Sequence, residues 1–505
     1  MTLAQVWGVV PAGISGVMVT VEVDVAQGLP SVGVVGLAQA PVAEARWRAR
    51  SAIVNAGLKW PNSRITIGLS PADLPKSGTS LDLPIAVGIL RATSQVASPN
   101  SSATFLGELG LDGCVKPVTG ALAAAIAAQR AGLEHIYVCP GNAREVSAVP
   151  GLAPIIIRDL AHLVRVLDGT DVGDAADSAQ PHSTLPRESI DFAEVRGHDM
   201  ARMALEVAAA GGHHCAMLGP PGVGKTMLAQ RFATVLPDLD DDMALDVTAV
   251  HALSGQLQIG HSLMRRPPFI APHHSISAAA MLGTVRNGIL VPGALTLAHG
   301  GVLFLDEAPE FARPCLEGLR QPLEHGSLAL MRVGSGLQAP ARFQLLIAAN
   351  PCPCGLSFGR GEQCRCTPMA KRRYAERLSG PLMDRIDIRV TITRPTESQL
   401  KAGSGESSSD VAARVRRARE RARLRWGRQP WRLNSHVPGS VLRSQFAPEP
   451  QAMTLLERAE AAGLNPRGSD RVLRIAWTLA DLDDAPRPAL EHLSTALTLR
   501  AGGDE

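Results

Sequence analysis

Gly219-Pro220-Pro221-Gly222-Val223-Gly224-Lys225-Thr226 fits G-x-x-x-x-G-K-[ST], the pattern of a phosphate-cradling loop. The apolar run Cys215-Ala216-Met217-Leu218 before it reads as a short buried strand, and residues 227–233 after it read as a helix. The glycines let backbone N–H groups turn toward phosphate oxygens, and the helix N-terminus adds a dipole of the right sign. Lys225 would reach the β- and γ-phosphates of ATP, and Thr226 would bind Mg2+. A Gly/Pro-rich surface turn could share the composition, but it has no need of a strand before it and a helix after it. The expected fold class is therefore α/β, with a parallel sheet beneath the loop.

Further on, Gly300-Gly301-Val302-Leu303-Phe304-Leu305-Asp306-Glu307 has four apolar residues ending in two acids. That describes a buried parallel strand delivering carboxylates at its C-terminal edge, where such sheets bind their ligands. Asp306 would support the Mg2+ shell, and Glu307 would orient and deprotonate the attacking water. The alternative is an Asp-Glu pair that caps a helix. A third strand, predicted over 343–349, ends at Asn350.

Three stretches carry a resemblance to AAA+ ATPases. A polar residue in the position of Asn350, sensor 1, hydrogen-bonds the water or the γ-phosphate in those proteins. Ser379-Gly380-Pro381-Leu382-Met383-Asp384-Arg385-Ile386-Asp387 resembles the segment that carries the arginine finger in the magnesium-chelatase and MCM branch. Arg385 is the finger so implied, Arg377 is the alternative, and either could instead be a surface salt-bridge partner. Asn465-Pro466-Arg467-Gly468-Ser469-Asp470-Arg471 resembles the sensor 2 segment, which makes Arg467 the nucleotide-contacting residue. These stretches occur in order with Pro272-His273-His274-Ser275, Leu319-Arg320-Gln321-Pro322-Leu323-Glu324 and Asn350-Pro351-Cys352-Pro353-Cys354-Gly355. The whole resembles the YifB/ComM family of magnesium-chelatase-like AAA+ proteins. The resemblance implies an ATP- and Mg2+-dependent homo-oligomer, a hexameric ring with ATP between subunits. For ComM-like members it also implies a helicase acting on single-stranded or branched DNA during recombination.

At 505 residues the chain is expected to hold two to four domains. Only 3% of residues are aromatic, so Leu, Val, Ile and Ala must fill the cores. The net charge of +3 argues neither for nor against a nucleic-acid partner, so any basic surface must be local. No secretory pattern opens the sequence and no uncharged apolar run approaches a membrane span, so a cytoplasmic protein without membrane contact is expected.

Residues 1–168 read as a mixed α/β unit: strands over 17–25, 65–69 and 135–138, a turn and a strand within 28–36, a hairpin over 105–118, and helices over 42–56 and 121–131. This unit resembles the proteolytic domain of Lon-type proteases (an S5 domain 2-like fold) through Pro75-Lys76-Ser77-Gly78-Thr79-Ser80, residues 107–115 and residues 127–132. Ser80 falls on the nucleophile of that family. Leu122 stands where its lysine base should be, and Lys116 comes about two helical turns too early to replace it. The expectation is a scaffold without peptidase activity. Residues 169–189 lose apolar periodicity and read as a linker, 190–396 as the ATPase core, and 397–505 as a C-terminal helical lid in which 397–410 is a Ser/Gly-rich connector.

Four further features bear on function. Cys352, Cys354, Cys364 and Cys366 form C-x-C-x9-C-x-C, which could close a tetrahedral Zn2+ site or remain free thiols. The other four cysteines, Cys114, Cys139, Cys215 and Cys315, are isolated and expected in cores. His273 and His274, if extended, face opposite sides and read as polar structural residues. A hairpin is predicted over 327–343; in ring helicases such a hairpin lies in the central pore, where Arg332 would contact phosphate backbone, and the alternative is an edge hairpin with a solvated arginine. The arginines Arg414, Arg416, Arg417, Arg419, Arg421, Arg423, Arg425 and Arg428, with Trp426 and Trp431, could bind DNA or form a solvated face. The functions in contention are a DNA motor, a motor subunit for metal chelation or protein remodelling, and an ATP-dependent protease.

Overall fold

A computed structural model describes residues 2–12, 15–36, 40–71, 79–97, 102–174, 190–254, 263–286, 289–332, 335–357, 364–378, 380–401 and 405–502. Alternating β-branched residues make Ser15–Ala26 a long strand, paired antiparallel with Thr2–Ala12 from Thr2↔Val25 to Ala12↔Ser15. A seven-stranded sheet grows from this pair in the order Ser31–Val35, Arg64–Ser70, Ser15–Ala26, Thr2–Ala12, Ala103–Phe105, His135–Val138, Ala153–Ile156. Val6 and Val10 turn to one apolar cluster and Val9 to another, so the sheet is covered on both faces. Helices Ala40–Asn55 and Asp82–Ala92 supply the first cover, and Ala121–Arg130 and Pro140–Ser147 the second. The hairpin expected over 105–118 is a short ladder of Glu108–Leu109 with Val115–Lys116, while Phe105 belongs to the main sheet. Residues 75–78 lie outside the described residues. Ser80 is buried and its hydroxyl has no hydrogen-bond partner among them, and Leu122 packs in the second apolar cluster.

Asp241–Leu253 joins the two halves of the molecule. Leu245 and Ala249 pack into the cluster around Ala121–Arg130, and Arg130 lies 3.3 Å from Asp246. The same helix runs beneath Gly300, where a Cβ would stand 2.7 Å from a Val247 methyl.

The second half is built on five parallel strands in the order Phe269–Ile270, Val302–Leu305, Gln344–Ala349, Cys215–Leu218, Ile388–Thr391. Helices Asp199–Gly211, Lys225–Val235, Ser408–Trp426 and Pro466–Leu482 share one apolar core with this sheet. Two hairpins project from it: Gly283–Arg286 with Ile289–Pro292, and Ser327–Arg332 with Ser335–Pro340. The first strands of the two hairpins touch.

A buried carboxylate fastens the C-terminal helices to the sheet. Asp387 precedes Ile388–Thr391, pairs with Arg471, lies 3.3 Å from His213 Nδ1 and accepts the His214 N–H at 3.3 Å. His213 Nε2 in turn lies 2.8 Å from the Thr478 hydroxyl. Burial alone would raise the Asp387 carboxyl. The His213 hydrogen bond and the Arg471 guanidinium outweigh it and hold the group far below the usual carboxylate range.

Several expectations are corrected. The connector over 397–410 is partly helical: Glu397–Lys401 forms a turn of helix and Ser407 caps Ser408–Trp426, so Ser408–Asp410 is its first turn. In the linker, residues 169–174 pack back on the N-terminal sheet through the Ile156–Asp174 bridge, and residues 175–189 lie outside the described residues. Cys114 is exposed rather than buried, because it leaves the tight turn at Asp112–Gly113. The arginine helix is largely paired internally. Arg414 forks onto Glu206 at 2.6 and 2.9 Å, half-buried Arg419 donates to the Ala209 carbonyl at 2.6 and 2.9 Å, and Arg425 pairs with Asp481 over the Trp477 ring. Trp426 is buried and donates to Asn434 at 3.1 Å; Arg416, Arg417, Arg423 and Arg428 are exposed, and of these Arg423 pairs with Glu420 on its own helix.

Two stability measurements test this packing. Asp387→Ala leaves Arg471 without its buried partner and should cost about 3–5 kcal/mol in urea unfolding; a loss under about 1 kcal/mol would show that the hub holds nothing. His214 and His299 each accept a backbone N–H at Nδ1, from Leu345 at 3.0 Å and Arg342 at 3.1 Å. Burial draws both imidazoles down to about 4. Their unfolded forms bind a proton near pH 6.5, so the stability they protect is complete above that pH and falls toward pH 4. Unfolding free energy should drop across that window, these two histidines contributing up to about 2.7 kcal/mol per pH unit, the slope of two protons taken up. A flat profile between pH 7 and 4.5 would exclude it.

Candidate nucleotide site

Strand register gathers the site. Leu218 lies opposite Ala349 and Leu305 opposite Ile347, so the chain leaves three adjacent strands at one edge through Gly219, Asp306 and Asn350. Gly222 and Gly224 both have positive φ (77° and 92°), and Gly224 opens the helix Lys225–Val235. This curls the loop around an ammonium group. Lys225 Nζ donates to the Gly219 carbonyl at 2.7 Å, to Pro220 at 2.8 Å and to Asn350 Oδ1 at 3.0 Å. Burial lowers the Lys225 pKa, and the charges of Asp306 and Glu307 act against it.

Thr226 Oγ1 donates to Asp306 Oδ2 at 2.6 Å, and the Glu307 N–H donates to Asp306 Oδ1 at 3.0 Å. A hydroxyl and a carboxylate in this contact are hard oxygen donors of the kind Mg2+ takes, so the residues suit that ion. Glu307 has φ 49° and ψ 45°, a left-handed conformation rarely adopted by a non-glycine residue, and its side chain is half exposed. His274 Nδ1 lies 3.6 Å from Glu307 Oε2. The histidines are not extended: Ile276 N–H bonds back to the His273 carbonyl at 3.0 Å, and the two rings lie 4.1 Å apart. The turn therefore aims His274 at the acid. Tyr374, on helix Pro368–Arg377, is a further neighbour. Burial, with the charges of Glu310 and Glu307, pushes its phenol up to about 12, opposed by the Asn350 N–H. Nothing in the local spacing of His274 or Tyr374 signals these contacts.

The arginines lie apart from this group. Arg377 donates to the Pro309 carbonyl and to Glu310, each at 3.0 Å. Arg385 donates to the Pro381 carbonyl at 2.6 Å and pairs with Glu324. Arg467 is exposed in the first turn of Pro466–Leu482, whose cap Asn465 accepts the Gly468 N–H at 2.7 Å. Asp384, Asn465 and Gly468 line one cleft of about 410 Å3, so the chain neighbours of Arg385 and Arg467 share a face. Neither arginine hydrogen-bonds the phosphate loop among the described residues.

The four loop cysteines converge. Their sulfurs all lie within 4.8 Å of one another, with Cys352–Cys354 at 3.4 Å and Cys364 at 3.7 Å from each. A tetrahedron of sulfurs about 2.3 Å from zinc has edges of about 3.8 Å. Arg332 pairs with Ser335 at the last rung of its hairpin.

Removing the Glu307 side chain should relieve its backbone. Glu307→Gly is expected to raise unfolding stability by about 1 kcal/mol. A destabilised variant would mean that the His274 contact outweighs the strain.

Comparison with known proteins identifies the lineage. Residues 191–400 match the family described as Magnesium chelatase, subunit ChlI; residues 21–142 match Subunit ChlI of Mg-chelatase; and residues 405–500 match Magnesium chelatase, subunit ChlI C-terminal. The chain is 44% identical over 505 residues to the uncharacterized protein Rv2897c of Mycobacterium tuberculosis, covering 100% of this chain and 99% of that one. It is 39% identical over 506 residues to YifB of Escherichia coli, covering 99% and 97%. It is 38% identical over 508 residues to the competence protein ComM of Haemophilus influenzae, covering 99% and 98%. The chain belongs to the YifB/ComM family of magnesium-chelatase-like AAA+ proteins.

Proposed function

We propose that this magnesium-chelatase-like AAA+ chain is an ATP hydrolase that works as a homo-oligomeric, hexameric ring moving single-stranded or branched DNA in the cytoplasm. The observation that carries the ATPase reading is the pair of contacts Lys225–Asn350 and Thr226–Asp306, which bring the ends of three strands into one site. In this reading Gly219 to Thr226 wrap the phosphates, and Lys225 leaves its loop carbonyls for phosphate oxygens. Thr226 and Asp306 hold Mg2+, which when bound offsets phosphate charge. Glu307 takes the proton of the attacking water, His274 orients Glu307, and Asn350 fixes the water or the γ-phosphate.

Arg385 and Arg467 act on the nucleotide of a neighbouring subunit. Their distance from their own phosphate loop and their common face support this. Asp387 pins the helix of Arg467 at the N-terminal edge of the sheet, about 13 Å of strand away from the loop. An arginine supplied in trans can be worth about 10³–10⁵ in rate. The two projecting hairpins, one carrying Arg332, are the surfaces offered to DNA, and the competence relative favours that substrate. Among the described residues no helix is long and apolar enough to cross a membrane. The four loop thiolates hold Zn2+. The N-terminal unit is a scaffold without peptidase activity, because Leu122 replaces the base that Ser80 would need. A motor for metal chelation or protein remodelling is the second reading, favoured by the ChlI match itself.

ATPase rates with and without single-stranded, duplex and four-way DNA separate these readings. Stimulation and ATP-driven movement of four-way DNA are expected; no binding and no stimulation would leave the remodelling reading. Lys225→Ala should abolish turnover. Arg385→Ala should lower turnover by about 10³-fold while ATP binding stays near normal. Normal hydrolysis by Arg385→Ala would falsify the shared-site ring.

A further inference from the structure

The four cysteines are wired into the nucleotide site at three points. Cys352 is two residues past Asn350, whose amide oxygen accepts from Lys225. Gly355, directly after Cys354, lies against the phosphate loop: a Cβ there would stand 2.5 Å from Pro221 Cδ and 2.8 Å from its Cγ. Gly355 also has φ 76°, which suits glycine. Cys366 adjoins Thr367, whose hydroxyl caps helix Pro368–Arg377 by accepting the Ala370 N–H at 3.2 Å. From that helix Tyr374 faces the Asn350 N–H, and Arg377 holds Pro309 and Glu310 just past Glu307.

We propose that Zn2+ bound by Cys352, Cys354, Cys364 and Cys366 is a clasp on the ATP site, setting nucleotide affinity through Gly355–Pro221 and Asn350–Lys225 rather than stabilising a separate finger. The proposal rests on the zinc reading above and goes beyond it in giving the metal a task. As neutral thiols the four groups can share S–H···S contacts of 3.4–3.7 Å, but once ionised they would repel one another unless a cation sat between them. With the cation bound, residues 350–357 are tied to residues 364–367, so Pro221 packs on a fixed surface and Asn350 stays in reach of the ammonium. Without it, the Cys354 and Cys364 arms separate and both contacts loosen. Zinc suits the task because it is redox-inert and takes four thiolates without a preferred orientation of its own.

The test uses the full chain purified under reducing conditions. Zinc content is measured by elemental mass spectrometry and affinity by titration with a fluorescent ADP analogue, before and after stripping with a chelator and after adding zinc back. Stoichiometric zinc, about tenfold weaker ADP binding on stripping and recovery with zinc are expected. Gly355→Ala keeps all four cysteines; it should retain zinc yet bind ADP about fivefold or more weakly, and it decides the matter if stripping unfolds the protein. Absence of zinc from the reduced protein would end the zinc reading and the clasp with it. Zinc present, with Gly355→Ala binding ADP as tightly as the unmodified chain, would overturn the clasp alone.

Discussion

One buried carboxylate sets the geometry of the ATPase half. Asp387 sits where its strand begins, and it accepts from or pairs with His213, His214 and Arg471 at once. Parallel strands put all their C-terminal ends at the opposite edge, where the phosphate loop lies. The hub thus fastens the C-terminal helices at the end of the sheet away from the chemistry. The residues of the phosphate-loop pattern and the two arginines Arg385 and Arg467 accordingly make separate sets of contacts, and neither arginine hydrogen-bonds the loop among the described residues. The desolvation cost of such a hub is met by several partners at once, and removing Asp387 or Arg471 leaves the other charge without its ion-pair partner.

Much of this site was legible in the sequence because its parts are local. A glycine-rich loop between strand and helix, two acids after four apolar residues and an asparagine after a third strand each announce themselves within a few positions. Parallel pairing then brings them together without further instruction. What was illegible depends on partners far along the chain. Arg414 and Arg419 look like a nucleic-acid face until Glu206 and the Ala209 carbonyl, more than 200 positions earlier, are found beneath them. His274 reaches Glu307 only because its segment turns, and a pattern of adjacent histidines does not encode that turn.

The N-terminal unit gives the same lesson. Strand Ser15–Ala26 was legible from its valines, and Ala121–Arg130 from its alanines and the glycine after it. The first strand, Thr2–Ala12, escaped notice. Its inward positions include small Ala4 and Gly8, while Leu3 and Trp7 are exposed, so the apolar alternation that marks a strand is blurred. Its pairing with Ser15–Ala26 supplies what its own pattern lacks.

Helix Asp241–Leu253 has two unlike neighbours. One face is packed into the N-terminal unit through Leu245 and Ala249, and the other lies under Gly300, two residues before the strand that ends at Asp306. Close-packed interiors deform little, so displacement of either neighbour is passed to the other as rigid motion. The helix is therefore a shared wall, one element whose side chains belong to the packing of both units at once. Leu122 lies in the same apolar cluster as Leu245 and Ala249, so the position where a lysine was expected now serves that shared packing.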